Sequence, residues 1–310
     1  MKCIYLLLTI LFLVFACMKT DKRTNTVLDN NAKSESFDKL TEYTIDKKAI
    51  DDKKNNDNEK SIKYISWENV LWFKNYETFA LHTYDRMTGD GAEYSGTYTL
   101  ETTNNITFLN VHFDGGKDER WLILANGTLC DIYKSDGKHI HGVTGSVNRD
   151  DIIWFCPEMV SSSSYLVENN ISYSPDNLEV HNKTDKPWVE GVKGYGISEK
   201  IFFNKGSIHN GSMHISIGYV SYDKPYLYEH NSRPKKIKLS VENKFSIIAN
   251  LKDTPHYQEV KLPSNIDQND VLVLEILDVY KGIKYEDTCI NTIYFEWNSG
   301  FYEVNNYWED

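Results

Sequence analysis

Beyond about residue 62 the apolar residues of this chain come in short runs, mostly at alternate positions, cut by Gly, Pro, Asn and Asp. No long helical period of about 3.6 residues runs through them, so the apolar faces have to be buried as packed antiparallel sheets. Met213, Ile215, Ile217 and Tyr219 alternate with His214, Ser216 and Gly218, which predicts a half-buried strand, and Ile237, Leu239 and Val241 repeat the pattern. Val271 to Leu277 is apolar except for Glu275 and predicts a strand at a sheet centre or covered on both faces. The expected class is all-β, with little helix.

Residues 62–164 predict a small antiparallel β domain. Gly96 is placed at the opening of a strand in which Tyr98 and Leu100 alternate with polar neighbours, and Thr103-Asn104-Asn105 makes a turn. In the next run Ile106 and Phe108 fall on one parity and Leu109, Val111 and Phe113 on the other, a slip that predicts a β-bulge. Trp121 to Ala125 and Leu129 to Tyr133 predict two strands about an Asn126-Gly127 hairpin turn. Such a meander resembles small lipocalin-like barrels. Trp67, Trp72, Phe73, Tyr76 and Phe79 are expected to pack its core. His139-Ile140-His141 would present two imidazoles on one strand face, but spacing identifies no third ligand. They are therefore expected to be exposed loop histidines rather than a metal site.

The N-terminus speaks of export. Lys2, an apolar run from Ile4 to Phe15 broken only by Thr9, and Ala16 before Cys17 are the parts of a secretory signal peptide. The run falls short of the ~20 residues that span a bilayer. Val14-Phe15-Ala16-Cys17 resembles a bacterial lipobox, which implies removal of residues 1–16 and acylation of Cys17, hence a membrane partner reached through a lipid. Residues 17–61 are rich in Asp, Lys, Asn and Thr, and are expected to form a disordered tether. That tether carries ten acidic and ten basic residues, so once Lys2 has left, the net charge of −11 becomes −12, all of it on the folded part. The sign argues against a nucleic-acid partner and against attraction to anionic headgroups.

Cysteine adds little: Cys130, Cys156 and Cys289 remain after the leader and Cys17, with no metal-ligand spacing and at most one disulfide among them. Neither a Gly-x-Ser-x-Gly elbow, a His-Glu-x-x-His motif nor a phosphate loop is present. The chain is expected to be non-catalytic and to need no cofactor.

The informative stretch begins near Tyr165. Trp188-Val189-Glu190-Gly191-Val192-Lys193-Gly194-Tyr195-Gly196-Ile197-Ser198 is followed by Gly218-Tyr219, by Asn231-Ser232-Arg233-Pro234-Lys235, and by Leu274 to Ile290 with Asp278-Val279-Tyr280-Lys281-Gly282 inside it. In this order they resemble the NADase-type glycan-binding domain, a discoidin-like, galactose-binding-like jelly roll named for its place in a secreted NAD glycohydrolase, where it stands apart from the catalytic domain. Ser198 departs from the family, which has Gly there, and is expected to alter a local turn. The resemblance implies a β-sandwich over residues 165–298, a tail over 299–310, and a glycan ligand. Loops at one end of such a sandwich can offer rings and planar polar groups to a sugar. The stacking candidates are Trp188, Tyr219, Tyr222, Tyr226 and Tyr228. The hydrogen-bonding candidates are Glu190, Asn231, Arg233, Asp278, Lys284 and Asp287. Trp188 equally suits the core, and Arg233 equally suits an ion pair with Asp278 or Glu190. The alternative function is a surface adhesin or scaffold that binds a protein through the same loops.

Overall fold

The computed structural model describes residues 61–65, 69–74, 77–85, 87–126, 129–144, 152–155, 160–178, 185–203, 211–264, 266 and 270–298. The leader, Cys17, the tether up to residue 60, Trp67, Tyr76, Cys156 and the tail lie outside these residues, while Ser61, expected to close the tether, opens the first strand.

Strands β1 (Ser61–Ile65), β2 (Asn69–Lys74), β3 (Thr78–Tyr84), β4 (Gly91–Thr103), β5 (Ile106–Phe113), β6 (Asp118–Ala125), β7 (Leu129–Lys134) and β8 (His139–Thr144) pair in chain order, and β8 closes on β1. The result is an eight-stranded up-and-down barrel, the lipocalin-like architecture the meander predicts. Asn104 and Asn105 take φ of 50° and 63°, the backbone a tight β4–β5 hairpin requires. Side chains fill the interior: Leu71, Phe73, Tyr98 and Ile132 pack there, with Phe79 edge-on to Phe113 and Trp121 at 5.4 and 5.6 Å. Gly96 lies within β4 rather than at its start. It pairs with Phe113, and a Cβ on it would stand 2.1 Å from the His112 carbonyl oxygen, so only glycine permits the strands to approach there.

The parity slip in β5 is not a bulge. The β4–β5 register runs unbroken from Gly96↔Phe113 to Thr103↔Ile106. Leu109, Val111 and Phe113 face the barrel interior, while Ile106 and Phe108 face outward and are buried all the same. The same holds for β6, where Trp121 and Ile123 point in and Leu122 and Leu124 point out into a second apolar cluster. That cluster is completed by Val220, Tyr228, Tyr257 and Tyr294 of the C-terminal half.

The second domain is a sandwich of two five-stranded antiparallel sheets. Its strands are β9 (Ile152–Phe155), β10 (Val160–Ser162), β13 (Trp188–Val189), β14 (Lys200–Phe203), β15 (Ser212–Ile217), β16 (Arg233–Val241), β17 (Phe245–Asn250), β18 (Gln258–Lys261), β19 (Leu272–Tyr280) and β20 (Cys289–Asn298). A small hairpin of β11 (Val167–Glu168) and β12 (Ile171–Ser172) stands apart, and helix is confined to one 3-10 turn (Pro175–Leu178) and to α1 (Leu227–His230) among the described residues. One sheet runs β10-β14-β19-β16-β17; the other runs β13-β20-β15-β18, with β9 also on β20. Between them pack Trp188, Ile201, Met213, Ile215, Leu239 and Leu274, all fully buried. The sandwich starts earlier than the expected Tyr165, because β9 pairs with β20 and β10 with β14. As its continuous apolar run predicts, β19 holds the sheet centre. Strand β15 departs from expectation: it is buried on both faces, its outward His214 meeting Asn126 of the barrel and its outward Ser216 bonded to Pro255 O and Asn291 of the sandwich.

The junction is polar as well as apolar. Asp131 of β7, fully buried, accepts a short hydrogen bond from the Tyr257 hydroxyl and one of 3.1 Å from Tyr294, and faces His139 Nε2 at 2.9 Å. His139 is therefore no exposed loop residue; its side chain is enclosed and stacks on Tyr133 at 4.7 Å. Cys130 and Cys289 are buried free thiols.

Candidate functional site

Antiparallel pairing fixes where the loops go. Trp188↔Ile290, Ile217↔Ile290 and Arg233↔Tyr280 set the ends of five strands side by side. Segments 163–173, 190–199, 218–232, 251–257 and 281–288 consequently emerge at one end of the sandwich. The barrel covers part of that end and leaves the rest open.

Most of the expected sugar ligands prove to be supports of this end. Trp188 lies in the core and donates its indole N–H to Ser164 O at 3.2 Å. Tyr228 is fully buried at the junction and donates to Asp253 Oδ1 at 3.1 Å. Gly218, at φ 90°, lies beneath its ring, where a Cβ would come within 2.5 Å of Cε2. Tyr222 packs edge-on against Phe108 of the barrel at 5.7 Å and donates to the Arg120 carbonyl at 2.6 Å. Neither ring is open to a ligand face as expected; the barrel takes both. Arg233 forms a buried two-point ion pair, Nε–Oδ1 2.5 Å and Nη2–Oδ2 2.6 Å, with Asp253 rather than with Asp278 or Glu190. Its Nη1 donates to the carbonyls of Tyr228 and Asn231, and Asn231 in turn donates to Leu227 O at 2.9 Å.

Glu190 is enclosed too. Its carboxyl accepts the Val192 N–H at 2.7 Å and the Thr288 N–H at 3.3 Å, tying segment 190–199 to the start of β20. Burial pushes this group up to about 7, and those two N–H donors oppose the shift. Neighbouring Asp287 is raised by its own burial and by nearby carboxylates. Tyr219 is half-buried, donating to Asp185 O at 3.1 Å and lying edge-on to Tyr173 at 6.1 Å. Asp278 is a surface partner of Lys235 at 2.9 Å. Ser198 carries φ 74°, the left-handed backbone that favours glycine, and its N–H still reaches Ile276 O at 2.8 Å. The departure from the family therefore keeps the turn, at some strain.

What stays open is a patch that unites Tyr226, His230, Lys284 and Tyr285. Tyr226 is 42% exposed, Tyr285 37% and Ile283 74%. The His230 ring lies 4.9 Å from Tyr226 and 6.3 Å from Tyr285, and Lys284 Nζ stands 4.9 Å over the Tyr285 ring. The patch is rigidly held. Ile283, Lys284 and Tyr285 donate their N–H groups to the carbonyls of Glu229 and His230, and Ser232 Oγ accepts the Gly282 N–H at 3.0 Å. Of its members Lys284 and Tyr226 were expected; Tyr285 and His230 were not. The signal for Tyr285 was present in Lys281-Gly282-Ile283-Lys284-Tyr285, where apolar side chains interrupt a glycine-lysine loop with no strand to bury them. Among the described residues no group of His, Cys, Asp and Glu is arranged to hold a metal ion.

Comparison with known proteins agrees with this geometry. Residues 154–296 match the family model described as the NAD glycohydrolase translocation F5/8 type C domain. No curated protein matches the chain. Two cryo-EM classes of a mutant arabinofuranosyltransferase AftD from Mycobacteria align with 46% and 48% of this chain, at 8% identity and a TM-score of 0.34. The chain spans only 11% and 12% of those proteins, and at that score the likeness carries no argument. The C-terminal half of the chain, with its paired sheets and loop-bearing end, is a discoidin-like F5/8 type C domain of the NAD glycohydrolase translocation type.

Proposed function

We propose that the protein is an exported bacterial lipoprotein, anchored through Cys17, whose sandwich binds glycan at its open loop end without catalysing a reaction. The observation that carries the binding reading is the Tyr226–His230–Tyr285 patch. Two half-exposed rings stand on a main-chain framework that is already ordered, beside a lysine that can donate to hydroxyl or acidic groups. Aromatic faces meet the CH surfaces of a sugar ring, and a pre-formed site loses little entropy on binding. The family match supports the binding class and leaves the ligand to be identified. The leader and Cys17 support the anchor by sequence alone.

A glycan array probed with a soluble chain from Ser61 onward tests the reading. A fragment beginning at Ser164 would lack β9 and β10 and is unsuitable. Selective binding is expected, and Tyr285→Ala and Tyr226→Ala should each weaken it by about tenfold, ~1.4 kcal/mol. A blank array with a folded chain, or full binding in the double variant, would remove the glycan site; capture of a protein partner by the same face would favour the adhesin. Palmitate labelling in cells should be lost in Cys17→Ala, and persistent label would refute the anchor.

A further inference from the structure

The sandwich meets the barrel through two buried histidines, each held to one tautomer by what the barrel offers it. His256 Nδ1 accepts the Ala125 N–H at 3.2 Å, and its Nε2 stands 3.2 Å from Thr107 Oγ1. A main-chain N–H can only donate, so Nδ1 is bare and the ring proton sits on Nε2, facing the threonine oxygen. One residue further along the barrel, Asn126 Oδ1 accepts the Leu129 N–H at 2.7 Å, which turns its Nδ2 toward His214 Nδ1 at 2.9 Å. His214 Nδ1 is an acceptor for the same reason. A second proton on either ring would set donor against donor. Neither barrel group can turn away, since one is main chain and the other an amide pinned by its own oxygen.

Other ionisable groups stand at the same junction. Beside His256, Tyr257 directs its hydroxyl to Asp131, which also receives Tyr294 and faces His139. His214 is flanked in its sheet by Glu259 of β18 and Tyr294 of β20, and Glu259 accepts the Ser212 hydroxyl.

We infer that Ala125 and Asn126 of the barrel and His214 and His256 of the sandwich form an acid-sensitive clasp, which locks the domains together at neutral pH and loosens when the His256 imidazole takes up a second proton. Loosening uncovers Tyr228 and Tyr257, which the locked form buries, and frees the half-buried Tyr222 beside them. Burial pushes His256 down to about 4. A depressed group stabilises the closed form fully above its ordinary range near 6.5, and that stabilisation is lost as the pH falls toward 4.

Hydrogen–deuterium exchange of the full chain at pH 7.5 and 5.0, corrected for intrinsic amide chemistry, tests the clasp. Protection at the Ala125 and Leu129 amides is expected to fall by roughly tenfold or more at the lower pH, while amides of β16 and β19 keep theirs. His256→Gln, whose amide cannot titrate, should lose this pH response. An equal loss at clasp and core amides, or an undiminished response in His256→Gln, overturns the inference. Should that variant fail to fold, an undiminished response in His256→Asn overturns it equally.

Discussion

Asp131→Ala is expected to lower stability by about 3–5 kcal/mol, among the largest effects any single substitution would have in this chain. The carboxylate is fully buried and sits between two domains, accepting from Tyr257 and Tyr294 of the sandwich and facing His139 of its own barrel. Deleting it leaves two phenolic hydroxyls and an imidazole N–H without their acceptor in a site closed to water, and each such group carries a desolvation cost of about 1–3 kcal/mol. Thermal unfolding is the measurement, with a fall in Tm of roughly 10 °C expected for a chain of this size. Asp131→Asn retains one acceptor oxygen and should cost less than half as much. A Tm unchanged in Asp131→Ala would mean that the apolar cluster alone joins the domains.

Arg233→Met is expected to cost about 3 kcal/mol, and to act on folding rather than on ligand contact. The guanidinium holds Asp253 at two points, caps the carbonyls of Tyr228 and Asn231, and lies 4.7 Å from the Tyr228 ring. A methionine fills part of the volume but leaves Asp253 without its cation, held by the Tyr228 hydroxyl alone, and takes the guanidinium donor from both carbonyls. Asp253 is about one-third exposed, so water recovers some of its charge and keeps the loss at the lower end of the range for buried pairs. Arg233→Lys keeps the charge without the planar fork and should fall between. Urea unfolding beside glycan binding separates the roles. If Arg233 touched ligand, binding would fall with the unfolding midpoint unmoved; the expected result is a lowered midpoint.

Alternation in the sequence identified which side of each strand is apolar and stopped short of saying what covers it. Leu109, Val111 and Phe113 face the barrel core as their spacing implies. Ile106 and Phe108 looked out of register because a second buried face was not foreseen; the sandwich supplies it. The same blind spot put Tyr222 and Tyr228 among the binding rings. An aromatic in a loop of Ser, Pro and Lys reads as exposed, and the partner that buries Tyr222 lies 102 residues away at Arg120. Arg233 was legible as half of an ion pair, but its carboxylate is Asp253, twenty residues on, and not Asp278 or Glu190. The sandwich itself was legible because its ordered blocks of glycines, aromatics and charges are features of turns and cores, and they resemble the family wherever those turns and cores are built. Tyr285 had its local signal in the Lys281–Lys284 loop, but its place beside Tyr226 and His230 is set by main-chain bonds to residues some fifty positions earlier.

One feature of the connectivity governs the order in which the molecule can be assembled. The barrel pairs each strand with its predecessor and closes with β8, so it can form once residue 144 has left the ribosome. The second sheet of the sandwich is different. Its strands β9, β13 and β15 all pair with β20, the last strand described, and remain without that neighbour until residue 298 has emerged. During that interval Ile106, Phe108, Leu122 and Leu124 stand bare on the finished barrel. Late pairing of this kind slows maturation and invites association between nascent chains, so the demand for a chaperone is greatest in the stretch between the two closures.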